Sequence, residues 1–267
     1  MKKNCFCLLL CMLLLLTGCG QSQPAATEAP AAEVPVTEAA VTETTVPPTE
    51  PETEPTEPPV VLHSGLREDG TFNEGTLFIG DSMTCILVQD YLTPMNLIGD
   101  AYYMGKYGAQ ITAFFGGVTM DTNVTVGKCA YRPEHEGMTY EEIAVDLGEQ
   151  VTAIYMMFGT NYTYNAYADM YIELTDFLLE TCPNATVYLQ LIPHGNEEIV
   201  RFKIVNEWIK EAHAHYVELG EPRVQLIDTF TAIGINHDEG WIHLNTQGNE
   251  NWYNAIVDYA KANNIPE

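Results

Sequence analysis

A serine, an asparagine and a histidine, far apart in the chain, stand where side chains can carry out acyl-transfer chemistry. Ser82 lies in Gly80-Asp81-Ser82, directly after the apolar run Thr76-Leu77-Phe78-Ile79. Asn161 lies in Gly159-Thr160-Asn161, directly after the apolar run 151–158. His243 lies in Ile242-His243-Leu244-Asn245, just before a stretch of helical periodicity. A hydroxyl in the first turn of a helix faces backbone N–H groups, which favour a developing negative charge. An imidazole within reach can take the hydroxyl's proton and later return it to a leaving group. Each residue alone has a plainer use: a serine after Gly-Asp caps helices, Asn161 suits a turn, and His243 suits a loop. The chemistry depends on whether the fold gathers them.

The elements that must gather them alternate in type. Apolar runs at 76–79, 101–104, 151–158, 186–192 and 224–227 read as strands. Helical spacing marks 83–91, 167–179, 197–219 and 247–262. Another helix opens near Thr139, whose hydroxyl and Glu142 three residues later form a capping-box signature. Near-continuous apolar strands alternating with helices predict a parallel sheet covered on both faces. The expected fold is α/β, a flavodoxin-like three-layer α/β/α sandwich around a five-stranded parallel sheet. Such sheets bind ligands beyond the carboxyl ends of their strands. That rule puts Ser82, Asn161 and His243 on one rim.

Taken together, these motifs resemble those of the SGNH, or GDSL, hydrolases. Gly80-Asp81-Ser82 is similar to the family's first block, Gly108 matches the glycine of its second, Gly159-Thr160-Asn161 its third and Ile242-His243-Leu244-Asn245 its fifth. The likeness covers Thr76 to about Ala262. It implies that Ser82 attacks an ester carbonyl, with His243 as base and then acid. The oxyanion would be held by the backbone N–H groups of Ser82 and Gly108 and the side-chain amide of Asn161. No cofactor or metal is implied. The pattern departs from the family in two places. Asn161 is followed by Tyr162 instead of aspartate. The position three before His243, where the family carries its triad acid, is Gly240. Asp238, Glu239 or neither would then orient the imidazole, with Asp238 favoured. The GxSxG elbow of α/β-hydrolases is absent. His213 and His215 are two apart on a helix, a poor metal pair.

Outside the folded part the chain changes character. Lys2 and Lys3 precede an apolar run from Cys5 to Leu16, and Leu16-Thr17-Gly18-Cys19 resembles a bacterial lipobox. Residues 1–18 read as a lipoprotein signal peptide, with Cys19 lipidated and anchoring the protein outside the cell membrane. Residues 19–62 hold nine of the fifteen prolines and eight glutamates, with no aromatic or basic residue. Such a segment buries too little apolar surface to order itself, and reads as a linker. The resemblance implies that residues 63–267 are the hydrolase domain. They carry 29 acidic and 9 basic residues, which excludes a phosphate-binding footprint and so nucleic acid as a partner. Three cysteines, Cys85, Cys129 and Cys182, remain there, an odd and widely spaced set that predicts buried thiols more than a bridge. The expected partner is an acylated small molecule or glycan, with acetyl the expected acyl group. The competing reading is an inactive surface-binding lipoprotein of the same fold.

Overall fold

Five short runs of β-branched, aromatic and aliphatic residues form the centre of the molecule. In the computed structural model, which describes residues 59–117, 135–161, 167–193, 200–234 and 242–267, they are β1 (Thr76–Gly80), β2 (Tyr102–Gly105), β3 (Ala153–Met157), β4 (Thr186–Gln190) and β5 (Val224–Ile227). All pair in parallel, in the order β2-β1-β3-β4-β5. Every residue of β1 to β4 is buried. Burial on both faces explains why these strands read as continuous apolar runs.

The strand order reverses at β1, and this sorts the helices. A right-handed crossover from β1 to β2 and right-handed crossovers from β2 through β3 and β4 to β5 put their helices on opposite faces. Helix α1 (Ser82–Ile86) belongs to the first group. Helices α2 (Tyr140–Leu147), α3 (Tyr167–Thr181) and α4 (Val200–Leu219) form the second, α2 against α3 and α3 against α4. Helices α5 (Thr229–Ile233) and α6 (Thr246–Ala262) follow β5. Helix α6 packs on α5 and on the continuation of α1. The result is the expected three-layer α/β/α sandwich.

One row of the sheet shows how the layers are locked. Tyr103, Phe78, Tyr155, Tyr188 and Gln225 stand in register across the five strands. Phe78 stacks on Tyr155 at 5.2 Å, and Tyr155 on Tyr188 at 4.7 Å. Such aromatic pairs contribute about 0.5–1.5 kcal/mol each beyond their buried area. Their hydroxyls are not wasted. Tyr155 donates to the Ser64 carbonyl at 2.6 Å, Tyr188 to the His63 carbonyl at 2.7 Å, and Tyr259 of α6 to Gln225 Oε1 at 2.6 Å. His63 N in turn donates to Thr186 Oγ1, and Ser64 N to the Pro266 carbonyl. The chain therefore joins the sandwich at the amino ends of the strands, the pole away from Ser82.

Most boundaries follow the sequence reading within two residues; the helix expected over 197–219 is described from Val200, and residues 194–199 lie outside the described residues. The Thr139 capping box is formed in full, Thr139 Oγ1 accepting from Glu142 N and Glu142 Oε2 from Thr139 N. Two elements differ. The helix expected over 83–91 is α for only five residues and then widens into a π turn, Leu87–Leu92. There the Thr93 N–H and hydroxyl both reach back to the Val88 carbonyl. Apolar spacing cannot separate these windings when five of the six π residues are buried. Helix α5 was not expected, and five residues are too few to show a period. Asp228 caps it by accepting from Thr231 N. Cys85 and Cys182 are buried, Cys85 accepting from the Tyr103 hydroxyl, and burial pushes the Cys182 thiol up to about 12. The signal peptide, Cys19, the linker up to residue 58 and Cys129 lie outside the described residues. No helix among those described is long and apolar enough to cross a membrane.

Candidate active site

Ser82 is placed by the end of β1. Gly80 closes the strand between Thr84 and β3, where an added methyl group would collide with Thr84 Oγ1 and the Met157 carbonyl. Asp81 then caps α1, its Oδ1 accepting from Met83 N at 2.9 Å. Ser82 becomes the first residue of the helix, 4 % exposed.

His243 comes from the other end of the domain. Leu244 is buried and anchors the segment, and Asn245 caps α6 by accepting from Gly248 N at 2.9 Å. Asn249 ties the same stretch from within the helix, donating to the Leu244 and Asn245 carbonyls. The imidazole, half-buried, lies with Nε2 3.1 Å from Ser82 Oγ, across 161 positions of sequence. That is within the reach required for proton transfer. The ring of Tyr107 meets the histidine edge to face at 6.1 Å. Asp238, favoured to orient the ring, and the alternative Glu239 lie outside the described residues. No described carboxylate bonds the imidazole.

Asn161 stands at the end of β3, as expected, but its amide is engaged. Nδ2 donates to the Ala109 carbonyl at 3.1 Å and to Thr160 Oγ1 at 3.2 Å. Ala109 belongs to the tight turn after β2, closed by Ala109 N on the Lys106 carbonyl, with Gly108 at a positive φ of 74°. That conformation suits glycine and costs other residues. Lys106 N reaches the Gly80 carbonyl, so the turn is fastened beside the end of β1. To donate to a reacting oxygen, the Asn161 amide must exchange one of its present bonds.

Asp81 connects these pieces, and sequence reasoning gave it no role. Its Oδ2 accepts from Thr160 Oγ1 at 2.6 Å and from Thr160 N at 3.1 Å. A chain of bonds thus runs from Met83 N through Asp81, Thr160 Oγ1 and Asn161 Nδ2 to the Ala109 carbonyl. One carboxylate fixes the start of α1, the loop after β3 and, through it, the turn after β2. Asp81 is fully buried, and desolvation pushes its carboxyl above the usual range despite the hydrogen bonds from Thr160, Met83 and Gly159 that pull the other way. The signal available in the sequence was an aspartate at an N-cap position; its second partner, 79 positions away, was not legible.

Other polar groups hold the rim rigid. Tyr171 both donates to and accepts from the Phe158 backbone, at 2.7 and 2.8 Å. Asn206 does the same for Ile192, at 2.9 and 2.7 Å. Trp252 donates to Gln190 Oε1 at 2.6 Å. Among the described residues no cluster of three or more His, Cys, Asp or Glu could hold a metal ion. His194 and His237 lie outside them.

No protein-family model matches the chain, and no curated protein matches it. Solved structures do. An active-site mutant of a family two carbohydrate esterase from Clostridium thermocellum aligns at 13 % identity and TM-score 0.50, over 70 % of this chain and 63 % of that one. The chain therefore spans less than two thirds of that esterase. A lipolytic protein of the G-D-S-L family from Veillonella parvula aligns at 14 % identity and TM-score 0.43, over 68 % and 96 % of the two chains. A GDSL-like lipase from Parabacteroides merdae aligns at 11 % identity and TM-score 0.47, over 76 % and 99 %. The domain shares its fold, a five-stranded parallel sheet between helices, with the Clostridium thermocellum esterase. At these identities the likeness speaks for the fold, and the GDSL reading of the site rests on the geometry of Ser82 and His243.

Proposed function

We propose that the domain is a serine esterase that hydrolyses small acyl esters, acetyl foremost, on carbohydrate. The observation that carries this is the 3.1 Å approach of His243 Nε2 to Ser82 Oγ at a helix start. His243 takes the hydroxyl proton as Ser82 Oγ bonds to the ester carbonyl carbon. The negative charge moves to the carbonyl oxygen, where the N–H groups of Ser82 and Gly108 and the Asn161 amide receive it. Collapse breaks the bond to the alcohol oxygen, which leaves with the proton from His243. Water repeats the sequence on the acyl-enzyme and frees Ser82. No metal or organic cofactor enters these steps.

The carbohydrate part of the reading draws support from a neighbour. A family two carbohydrate esterase from Clostridium thermocellum was solved in complex with cellohexaose. The location draws on the sequence: we assign Cys19 as the lipid anchor, with Met1 to Gly18 removed on export. The position of Gly240 in place of an acid favours the second reading, a binding protein that has lost catalysis.

Hydrolysis of p-nitrophenyl acetate separates the two. The wild-type chain should turn it over and Ser82→Ala should not; equal rates from both proteins would remove the esterase reading. Asn161→Ala should lower kcat by roughly 10²–10³-fold, the usual cost of one oxyanion donor. A change in KM alone would take Asn161 out of that role.

A further inference from the structure

The turn after β2 lines a surface cavity of about 420 Å³, within the range of about 300–1,000 Å³ typical of small-ligand sites, and Tyr107 in its wall touches His243. Its wall includes Lys106, Tyr107, Gly108, Gln110, Thr112 and Gly116. Ala109 and Ala113 complete it, so its apolar part is one aromatic ring and two methyl groups, with no long aliphatic residue. Such a wall does not suit a fatty acyl chain, which needs a continuous apolar sleeve. Tyr107 is 45 % exposed, a large ring held at the surface, and its edge-to-face contact with His243 sets it against the reacting centre.

The proton path says which half of the substrate lies here. His243 must deliver its proton to the leaving oxygen, so the alcohol half extends from the histidine side. Among the described residues Tyr107 is the exposed aromatic that touches His243. A pyranose ring has an apolar C–H face and a hydroxylated edge. The phenol ring can cover the face, and the Lys106 ammonium and Thr112 hydroxyl of the same wall can meet the edge. We propose that Tyr107 and this cavity form the leaving-group subsite, selecting a sugar as the alcohol half of the ester. The inference rests on the esterase reading and adds to it the residue that sets alcohol specificity.

Two measurements on the full chain test it. The first compares kcat/KM on acetylated xylohexaose and on p-nitrophenyl acetate for wild type, Tyr107→Ala and Tyr107→Trp. Tyr107→Ala should lose at least tenfold more on the oligosaccharide than on the aryl ester, mainly through KM, and Tyr107→Trp should recover most of it. Equal losses on both substrates would make Tyr107 a support for His243 only, and overturn the proposal. The second measures calorimetric binding of acetylated xylohexaose to Ser82→Ala with and without Tyr107→Ala. At least tenfold weaker binding in the double variant is expected even if the protein proves to be no esterase. Equal affinities, or no binding to Ser82→Ala at all, would sink the subsite.

Discussion

Replacing His243 by alanine should lower kcat/KM on p-nitrophenyl acetate by about 10⁴-fold or more, while the fold stays intact. The hydroxyl of Ser82 is a weak nucleophile at neutral pH, and a positioned base supplies about 10²–10⁴ of rate by itself. Where hydroxyl and imidazole act as a unit, losing either one costs nearly as much as losing both. The double variant Ser82→Ala/His243→Ala should therefore be no slower than Ser82→Ala. His243 is only half-buried, and its bond to Ser82 is its one hydrogen bond among the described residues. Its removal should move the thermal midpoint by no more than a few degrees. A fall in activity that tracks a large fall in thermal midpoint would point to a structural histidine instead.

The second large effect is expected at a residue that touches no reacting atom. Asp81→Ala leaves Met83 N, Thr160 N and the Thr160 hydroxyl without their acceptor in a fully buried site. Each orphaned buried donor costs about 1–3 kcal/mol, and removing a desolvated carboxylate offsets part of the sum. A net loss of about 3 kcal/mol is expected, or about 10 °C in a domain of this size. Activity should fall by about 10²-fold as well, because Thr160 no longer holds Asn161 toward the turn after β2. Asp81→Asn keeps the shape but sets an amide N–H against a backbone donor, so it should fall between the two.

The charge of Asp81 adds a pH signature. Burial raises its folded-state pKa above the ordinary 3.8. Between those two values the native state holds the proton more tightly than the unfolded chain, so this group's contribution to stability falls as pH rises through that window. Denaturant melts from pH 4 upward should show the stability difference between wild type and Asp81→Asn shrinking with pH. A difference that grows instead would mean a carboxylate held by its hydrogen bonds below the ordinary value.

How much of this was legible in the sequence depends on the range of the interaction. Strands β1 and β3 were plain because burial on both faces leaves no polar alternation to confuse a reader. Ser82 was found because an apolar run meets a helix signal there, and His243 because it stands just before one. Their meeting then follows from a rule of parallel sheets. The role of Asp81 was hidden, since a local cap explains an aspartate there and its bond to Thr160 exists only after β1 and β3 pair. The engaged state of the Asn161 amide was hidden for the same reason, needing the Ala109 carbonyl from a turn 52 positions earlier. The contact of Tyr107 with His243 left no trace in the sequence, since the two rings meet only in the folded domain. The π turn after α1 and the five residues of α5 left no periodic trace.

Fluorophosphonate labelling followed by peptide mass spectrometry tests the nucleophile most directly. The account predicts one adduct per chain, on the peptide carrying Ser82, and strongly slowed labelling in His243→Ala. Absence of an adduct on folded wild-type protein, or an adduct on any other serine, would contradict it.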